Sequence, residues 1–316
     1  MSHRRKYIYL CVVAISWFQF PAANGISGGV PLVASFAPQQ NAPILNDIVP
    51  PNILEKSTPQ IIKDFPQLDG LEPVSDQKDL PAILQKVGEN VEAYFHNFVS
   101  TSAQEEVVQQ RLRPNGKVEG SLKQKFRYLL VSSGREKDFD LDEFRMDKKG
   151  RPAQQKVLWG GTLTKGFASM PALLHPDLQP ESRFSLLGRQ LQEGGNFLVV
   201  AFAQEPATAE FKEKIVGELG THTVFLQGVV WIDAANFQIV RMSTELLPGP
   251  IPQPLIQQTT DITFARVHFE GIPASFWLPQ QVAVVSDRVD GRLRNEHRYS
   301  DYQLYASQTR MIYQPQ

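Results

Sequence analysis

Apolar residues recur at three- and four-residue steps over residues 81–100, which is the spacing of one face of an α-helix. The apolar positions are Leu84, Val87, Val91, Phe95 and Phe98. Asp79 stands where an N-cap residue is expected, and Pro81 falls in the first turn, where proline is tolerated. The other face is polar, with Gln85, Glu89 and Glu92, so the pattern predicts an amphipathic helix with one face packed on a core.

After this helix the pattern changes to a period of two, which indicates strands with one buried face. In residues 122–132 the apolar side chains Leu122, Phe126, Tyr128 and Leu130 alternate with Lys123, Lys125 and Arg127. Further strands are predicted at 139–146, 183–190, 196–203, 224–232, 237–246, 261–269, 280–286 and 292–305. About eight to ten consecutive strands behind one helix predict an α+β, mainly β, fold. We expect a curled antiparallel sheet, or unclosed barrel, covered by the N-terminal amphipathic helix.

The first residues of the chain have the layout of an export signal. Arg4, Arg5 and Lys6 precede an apolar run over residues 7–20, and small residues follow at 23 and 25. This order predicts a secretory signal peptide over residues 1–25, and therefore a periplasmic or secreted protein. The run is shorter than the roughly 20 residues of a transmembrane helix. A signal that stays uncleaved as an anchor is the alternative.

Prolines recur between residues 26 and 78 too often for a helix or a central strand. They are Pro31, Pro38, Pro43, Pro50, Pro51, Pro59, Pro66 and Pro73. The spacing predicts a disordered, proline-rich leader that tethers a β domain at residues 79–316. A segment that docks an envelope protein partner is the alternative interpretation.

Charge and cysteine content exclude several classes of protein. Basic and acidic residues number 32 and 33; residues 1–25 contain three basic and no acidic residues, which leaves 29 against 33. A mildly acidic chain with dispersed charges has no electrostatic reason to bind nucleic acid. Cys11, the only cysteine, lies in the predicted signal peptide. The mature chain would therefore contain no disulfide and no cysteine-ligated metal.

One run of acidic residues resembles part of a metal site. Asp138, Asp140 and Asp142 alternate as in a calcium-binding loop. Glu143 and Lys149, however, stand at the places where such a loop requires glycine and glutamate. We therefore predict no metal at this run.

Catalytic motifs are equally incomplete. His268 and His297 are expected, at most, to form a structural pair across neighbouring strands. The sequence has no nucleophile elbow and no phosphate-binding glycine loop. Glu105, Glu106 and Glu143 are carboxylates that nothing in the sequence singles out. The sequence therefore predicts neither an enzyme nor a cofactor.

What remains is an apolar inner face of the predicted sheet. Its candidate ligand-binding residues are Phe126, Tyr128, Leu130, Phe184, Phe202, Trp231, Phe264 and Trp277. If the helix fills the concavity, these side chains are core. If it covers the concavity only in part, they line a pocket for an acyl chain, with about 0.8 kcal/mol gained per buried methylene.

One predicted hairpin carries a family resemblance. Residues 230–241 read Val-Trp-Ile-Asp-Ala-Ala-Asn-Phe-Gln-Ile-Val-Arg. With the signal peptide, the helix and the consecutive strands, this hairpin resembles the periplasmic lipoprotein-carrier superfamily, which includes LolA, LolB and RseB. The span 81–304 is also similar to uncharacterised exported bacterial proteins, through segments 173–176 and 296–302. The resemblance implies an unclosed antiparallel barrel with an apolar cavity for acyl chains or lipoprotein partners.

Three functions follow as hypotheses, and the third, which no motif supports, is an enzyme whose site is assembled from distant strands. The first is an exported protein that binds a lipid, an acyl chain or a lipidated partner in a concave sheet. The alternative is an envelope interaction or sensory protein with a solid core, whose proline-rich leader or an exposed sheet edge contacts a protein partner.

Overall fold

The computed structural model describes residues 8–14, 51–132, 141–158, 163–192, 195–217, 220–251 and 254–305. The described α-helices are α1 (Thr58–Asp64) and α2 (Leu80–Asn97). The described strands, in chain order, are β1 (Ile8–Ala14), β2 (Leu71–Pro73), β3 (Thr101–Leu112), β4 (Val118–Ser132), β5 (Leu141–Met146), β6 (Ser182–Gln192), β7 (Gly195–Gln204), β8 (Phe211–Gly217), β9 (Gly220–Val224), β10 (Leu226–Asp233), β11 (Ile239–Leu246), β12 (Leu255–His268), β13 (Ser275–Arg288) and β14 (Gly291–Leu304). Short 3-10 helices lie at Ile53–Glu55, Pro66–Leu68, Met170–Leu174 and Gln179–Glu181.

Eleven of the described strands form one antiparallel sheet in the order β2-β6-β7-β10-β11-β12-β13-β14-β3-β4-β5. Its edge strands β2 and β5 do not pair with each other, so the sheet is open. The predicted class, a mainly β fold with an unclosed antiparallel sheet, is confirmed. The predicted hairpins 183–203 and 224–246 correspond to β6–β7 and β10–β11.

A smaller sheet contains β1, β8 and β9. β1 pairs in parallel with β8, and β8 pairs antiparallel with β9. Since β1 falls within residues 1–25, cleavage of the predicted signal peptide would leave β8 and β9 as a two-stranded hairpin. The signal peptide itself stays a prediction.

The face of the main sheet that meets α2 carries the largest core, and we call it the inner face. Val87 and Val91 of α2 pack on it, as the helical period predicts. Ile83 is also buried there, whereas the predicted Leu84 is only partly buried against this core. The helix is not its only cover, however. Residues 163–175, which we call the cover segment, also pack there through Phe167, Leu173 and other buried side chains.

The outer face is covered by a segment that the sequence places in the disordered leader. Ile53, Ile61, Phe65, Leu68 and Leu71 are buried there. They pack against Leu187, Val199, Ala201, Ala203, Val229 and Trp231 of the sheet. The expectation of a disordered leader is therefore wrong for residues 53–73, whereas residues 26–50 lie outside the described residues.

The physical reason is the position of the prolines. Pro59 and Pro66 stand in the first turns of α1 and of the following 3-10 helix, where a missing N–H costs nothing. Polar contacts add to the apolar packing. The N–H of Ile53 donates to Gln227 Oε1 at 2.7 Å, and Gln190 Nε2 donates to the carbonyl oxygens of Gln67 and Asp69 at 2.9 and 2.6 Å.

We predict that Leu68→Ala destabilises the whole domain. Leu68 is fully buried against the sheet, so the substitution removes apolar contacts and leaves a cavity. We expect a loss of about 2–5 kcal/mol in the free energy of unfolding, measured by urea denaturation. Leu191→Ala is the matched control, because Leu191 is 69% exposed. A tether that does not touch the domain would make the two variants equally stable.

Candidate functional site

The structure brings most of the predicted ligand-binding residues into one core. Tyr128, Leu130, Phe202 and Phe264 are buried in the inner-face cluster. Phe184 and Trp277 pack against this cluster and are half-buried. Phe126 lies further along β4, where it packs with Val107 and Leu163.

Trp231 lies on the opposite face, so its placement on the inner face is a wrong prediction. Its neighbours Val230 and Ile232 point to the inner core, and alternation along β10 turns Trp231 outward. Its Nε1 donates to Gln190 Oε1 at 2.6 Å. Because β10 is buried on both faces, its residues 229–232 form a continuous apolar run that does not show which face is inner.

Between the middle of α2 and the sheet the interior is filled. The cavity lined by Val91, Tyr94, Phe264 and Trp277 measures about 20 Å³. This is little more than one water molecule occupies. The inner face therefore holds no acyl-sized space at this point.

A larger cleft of about 330 Å³ lies at the first turns of α2. Its apolar lining is Val74, Ala82, Ile83, Leu186, Leu198, Ala234 and Phe237. Ile83, Leu186 and Leu198 also belong to the inner core, so the cleft is continuous with the inner face. Its charged lining is Asp76, Lys78, Asp79, Lys86 and Arg189. The cleft therefore combines an apolar surface with a charged one.

A bulge in β6 shapes one wall of the cleft. The pairing of β6 with β7 shifts between Leu186 and Gly188. The side chain of Gln77 binds the backbone there: its Nε2 donates to Leu186 O at 2.9 Å, and its Oε1 accepts from Leu186 N at 2.7 Å. A Cβ at Gly188 would lie 2.1 Å from Glu72 O, so only glycine lets β2 approach.

The turn of the β10–β11 hairpin forms another wall. Asp233 Oδ1 accepts from the N–H of Ala235 at 2.7 Å, and the N–H of Phe237 donates to Asp233 O at 2.8 Å. This turn holds Phe237 at φ 59°, a left-handed conformation that is uncommon for a bulky residue. Such conformations persist only where the surroundings enforce them, often at functional sites. The ring of Phe237 lies against the cleft.

Helix α2 is tied to this turn by two contacts. Asn90 Nδ2 donates to Asn236 O at 2.9 Å, and Lys86 Nζ lies 4.4 Å from the centre of the Phe237 ring. The second contact is a cation–π interaction. The cleft is thus preformed, with its walls connected by specific contacts.

A second polar group of residues lies at the other end of the inner face. Arg145 donates to Glu105 through Nε at 2.6 Å and through Nη2 at 2.8 Å. His297 Nδ1 and Tyr299 Oη lie 2.9 and 3.1 Å from Glu105 Oε1. All four residues are buried, and we call them the Glu105 cluster. His268 is not part of it, because β13 separates β12 from β14 and the expected histidine pair does not form.

The pKa values in the Glu105 cluster follow from burial and partners. Burial would raise the pKa of Glu105, but the charge of Arg145 and the hydrogen bonds outweigh it and leave the pKa at about 2. Burial lowers the pKa of His297, although Glu105 opposes this. A neutral His297 beside an ionised Glu105 must carry its proton on Nδ1, since a carboxylate only accepts.

The cluster and its neighbour Glu143 anchor the cover segment. Arg145 Nη2 donates to Thr164 O at 2.7 Å. Glu143 accepts from the N–H of Gly166 at 2.7 Å and of Ala168 at 3.4 Å, and burial raises its pKa. These contacts satisfy backbone groups of an irregular, buried segment, which would otherwise be costly to bury. Glu105 and Glu143, which the sequence does not single out, therefore have a structural role.

A hollow of about 420 Å³ lies beside the cluster, lined in part by Tyr128, Leu163 and Lys165. Glu143 and Arg145 also line it, but both are already bonded to protein groups. Across the described ranges, no group of three or more His, Cys, Asp or Glu side chains could hold a metal ion. Likewise, no described helix is both long and apolar enough to span a bilayer.

Comparisons with known proteins give the following result. No family model and no curated protein matches the chain. Among solved structures, a domain from Vibrio parahaemolyticus described as an outer membrane lipoprotein-sorting protein matches with a TM-score of 0.37 and 12% identity, over 72% of this chain and 92% of that one. A DUF1329 family protein from Desulfovibrio piger matches with a TM-score of 0.39 and 12% identity, over 71% and 92%. Similarity at this level assigns no ligand or partner to this chain.

We predict that Glu105→Gln destabilises the protein most at neutral pH. The substitution leaves the Arg145 guanidinium buried beside an uncharged amide, for an expected loss of about 3–5 kcal/mol. The folded pKa of Glu105, about 2, lies below its ordinary 4.5, so the unfolded chain binds this proton first. The stability from Glu105 is therefore present above pH 4.5 and is lost as the pH falls toward 2.

Urea denaturation at a series of pH values checks this prediction. As the pH falls from 4.5 toward 2, the wild type should lose stability, and Glu105→Gln should lose less. Glu106→Gln is the matched control, because Glu106 is the next residue of β3 and pairs with Lys123 and Lys125 on the other face. Equal pH profiles for the wild type and Glu105→Gln would contradict the role of this carboxylate.

Proposed function

We propose that the protein is an exported binding protein that holds a hydrophobic ligand, such as a lipid, an acyl chain or a lipidated partner, at the inner face of its open sheet. The observation that carries the proposal is the cleft of about 330 Å³ that is continuous with the inner core. Export rests on the predicted signal peptide.

The size and lining of the cleft support this function. Ligand pockets begin at about 300 Å³ and are mostly apolar with a few polar groups. In this proposal the acyl chain contacts Ile83, Leu186, Leu198 and Phe237. Each methylene that leaves water contributes about 0.8 kcal/mol.

The proposed contacts differ from those that the sequence suggests. None of the eight predicted ligand-binding residues lines this cleft. In this proposal the inner-face members of that set, such as Phe202 and Leu130, form the packed core behind the cleft. Trp231 instead holds the N-terminal segment on the outer face.

The alternative of a partner-docking leader has less support. Residues 53–71 pack their apolar side chains on the outer face, so they are not free to bind an envelope protein. No contact in the described structure favours this alternative over ligand binding.

We predict that Ala82→Trp blocks ligand binding. Ala82 is exposed on α2 and lines the cleft, so an indole there would fill the space of the acyl chain. Titration with dansylundecanoic acid should show binding to the wild type and about tenfold weaker binding to the variant, because several methylenes would lose their burial.

Ala93→Trp is the matched control, since Ala93 is exposed on the same helix and does not line the cleft. Circular dichroism should show both variants folded. Equal affinity in the two variants would place the ligand elsewhere, and the absence of binding by the wild type would overturn the proposal.

A further inference from the structure

The charges that line the cleft are not balanced. Asp76 and Lys78 neutralise each other across a 2.9 Å salt bridge, and this pairing lowers the pKa of Asp76. Lys86 and Arg189 form no salt bridge with any described residue, although both line the cleft. Asp79 is the one remaining acidic residue of the lining. With Asp76 and Lys78 paired, the described lining therefore leaves two cations against one carboxylate, a net charge of +1.

The two cations lie on different walls of the cleft. Lys86 is exposed on α2, and its ammonium is held over the Phe237 ring at 4.4 Å. Arg189 is exposed on β6, one residue beyond the bulge at Gly188. It stands opposite Leu198 of the neighbouring strand β7. Because Leu198 is part of the apolar lining, the guanidinium stands beside the surface that an acyl chain would contact. Each wall thus places a positive charge next to an apolar patch.

We propose that the cleft selects single-chain anionic amphiphiles, with Lys86 and Arg189 binding the negative head group while the chain lies on Ile83, Leu186 and Leu198. This inference rests on the proposed function and adds the charge of the ligand to it. An anionic head group gains two charge-assisted contacts, whereas a cationic one would meet two like charges. The head group is a carboxylate, as in a fatty acid, or a phosphate, as in a lysophospholipid.

Four probes with the same dodecyl chain separate head group from chain. Dodecanoate and dodecyl phosphate are anionic, dodecyl maltoside is neutral, and dodecyltrimethylammonium is cationic. Isothermal titration calorimetry below their critical micelle concentrations gives their affinities for the full chain. We expect the wild type to bind at least one anionic probe about tenfold more tightly than the neutral probe, from two partly exposed ion pairs. The tighter of the two anionic probes identifies the head group.

The double variant Lys86→Gln/Arg189→Gln should lose this preference and still bind dodecyl maltoside as the wild type does. Arg113→Gln/Lys148→Gln is the matched control. It removes the same charge from two exposed turn residues outside the cleft, and it should keep the preference.

The outcomes separate the two proposals. Equal affinity for the neutral and anionic probes, tighter binding of the cationic probe, or a preference that survives in Lys86→Gln/Arg189→Gln would overturn the charge selectivity and leave the binding function standing. If no probe binds the wild type, the proposed function itself fails.

Discussion

An open sheet with an apolar inner face must be covered by other parts of the chain, and most features of this molecule follow from that constraint. The edge strands β2 and β5 do not pair with each other, so the sheet does not close into a barrel that would keep water away from its inner face. Helix α2 and the cover segment each cover part of the face. Because the cover segment includes irregular backbone, its buried N–H and C=O groups need partners. Glu143 and Arg145 of β5 supply several of them.

The same constraint explains why ionisable residues lie inside an apolar core. A buried guanidinium or carboxylate is costly unless it is paired and hydrogen-bonded. Here Arg145 and Glu105 form a bidentate pair, and His297 and Tyr299 complete the contacts of the carboxylate. The Glu105 cluster thereby fixes the cover segment, while the cleft proposed to hold the ligand lies where α2 begins.

The sequence pattern predicted those helices and strands in which the buried positions are also the apolar ones. Helix α2 was predicted close to its observed position because its apolar residues have a regular helical period. The β10–β11 hairpin was predicted because residues 233–236 mark a turn between two strand-forming runs. Strand β3 was missed. Glu105 and Gln109 occupy inward positions on it, so polar residues replace the apolar half of the alternation. Strand β2 has only three residues and no detectable period.

The sequence by itself determined the mainly β class, the covering helix and the order of most strands, since these depend on repeats between near neighbours. Tertiary structure decided which face each side chain occupies and which distant residues meet. Trp231 lies in an apolar run of β10 that either face could bury, and only the packing of the N-terminal segment assigns it to the outer face. The cleft joins residues from 74 to 237, and the Glu105 cluster joins residues from 105 to 299. These contacts between distant residues depend on how the strands pair and how the sheet curls, and no local sequence pattern specifies either.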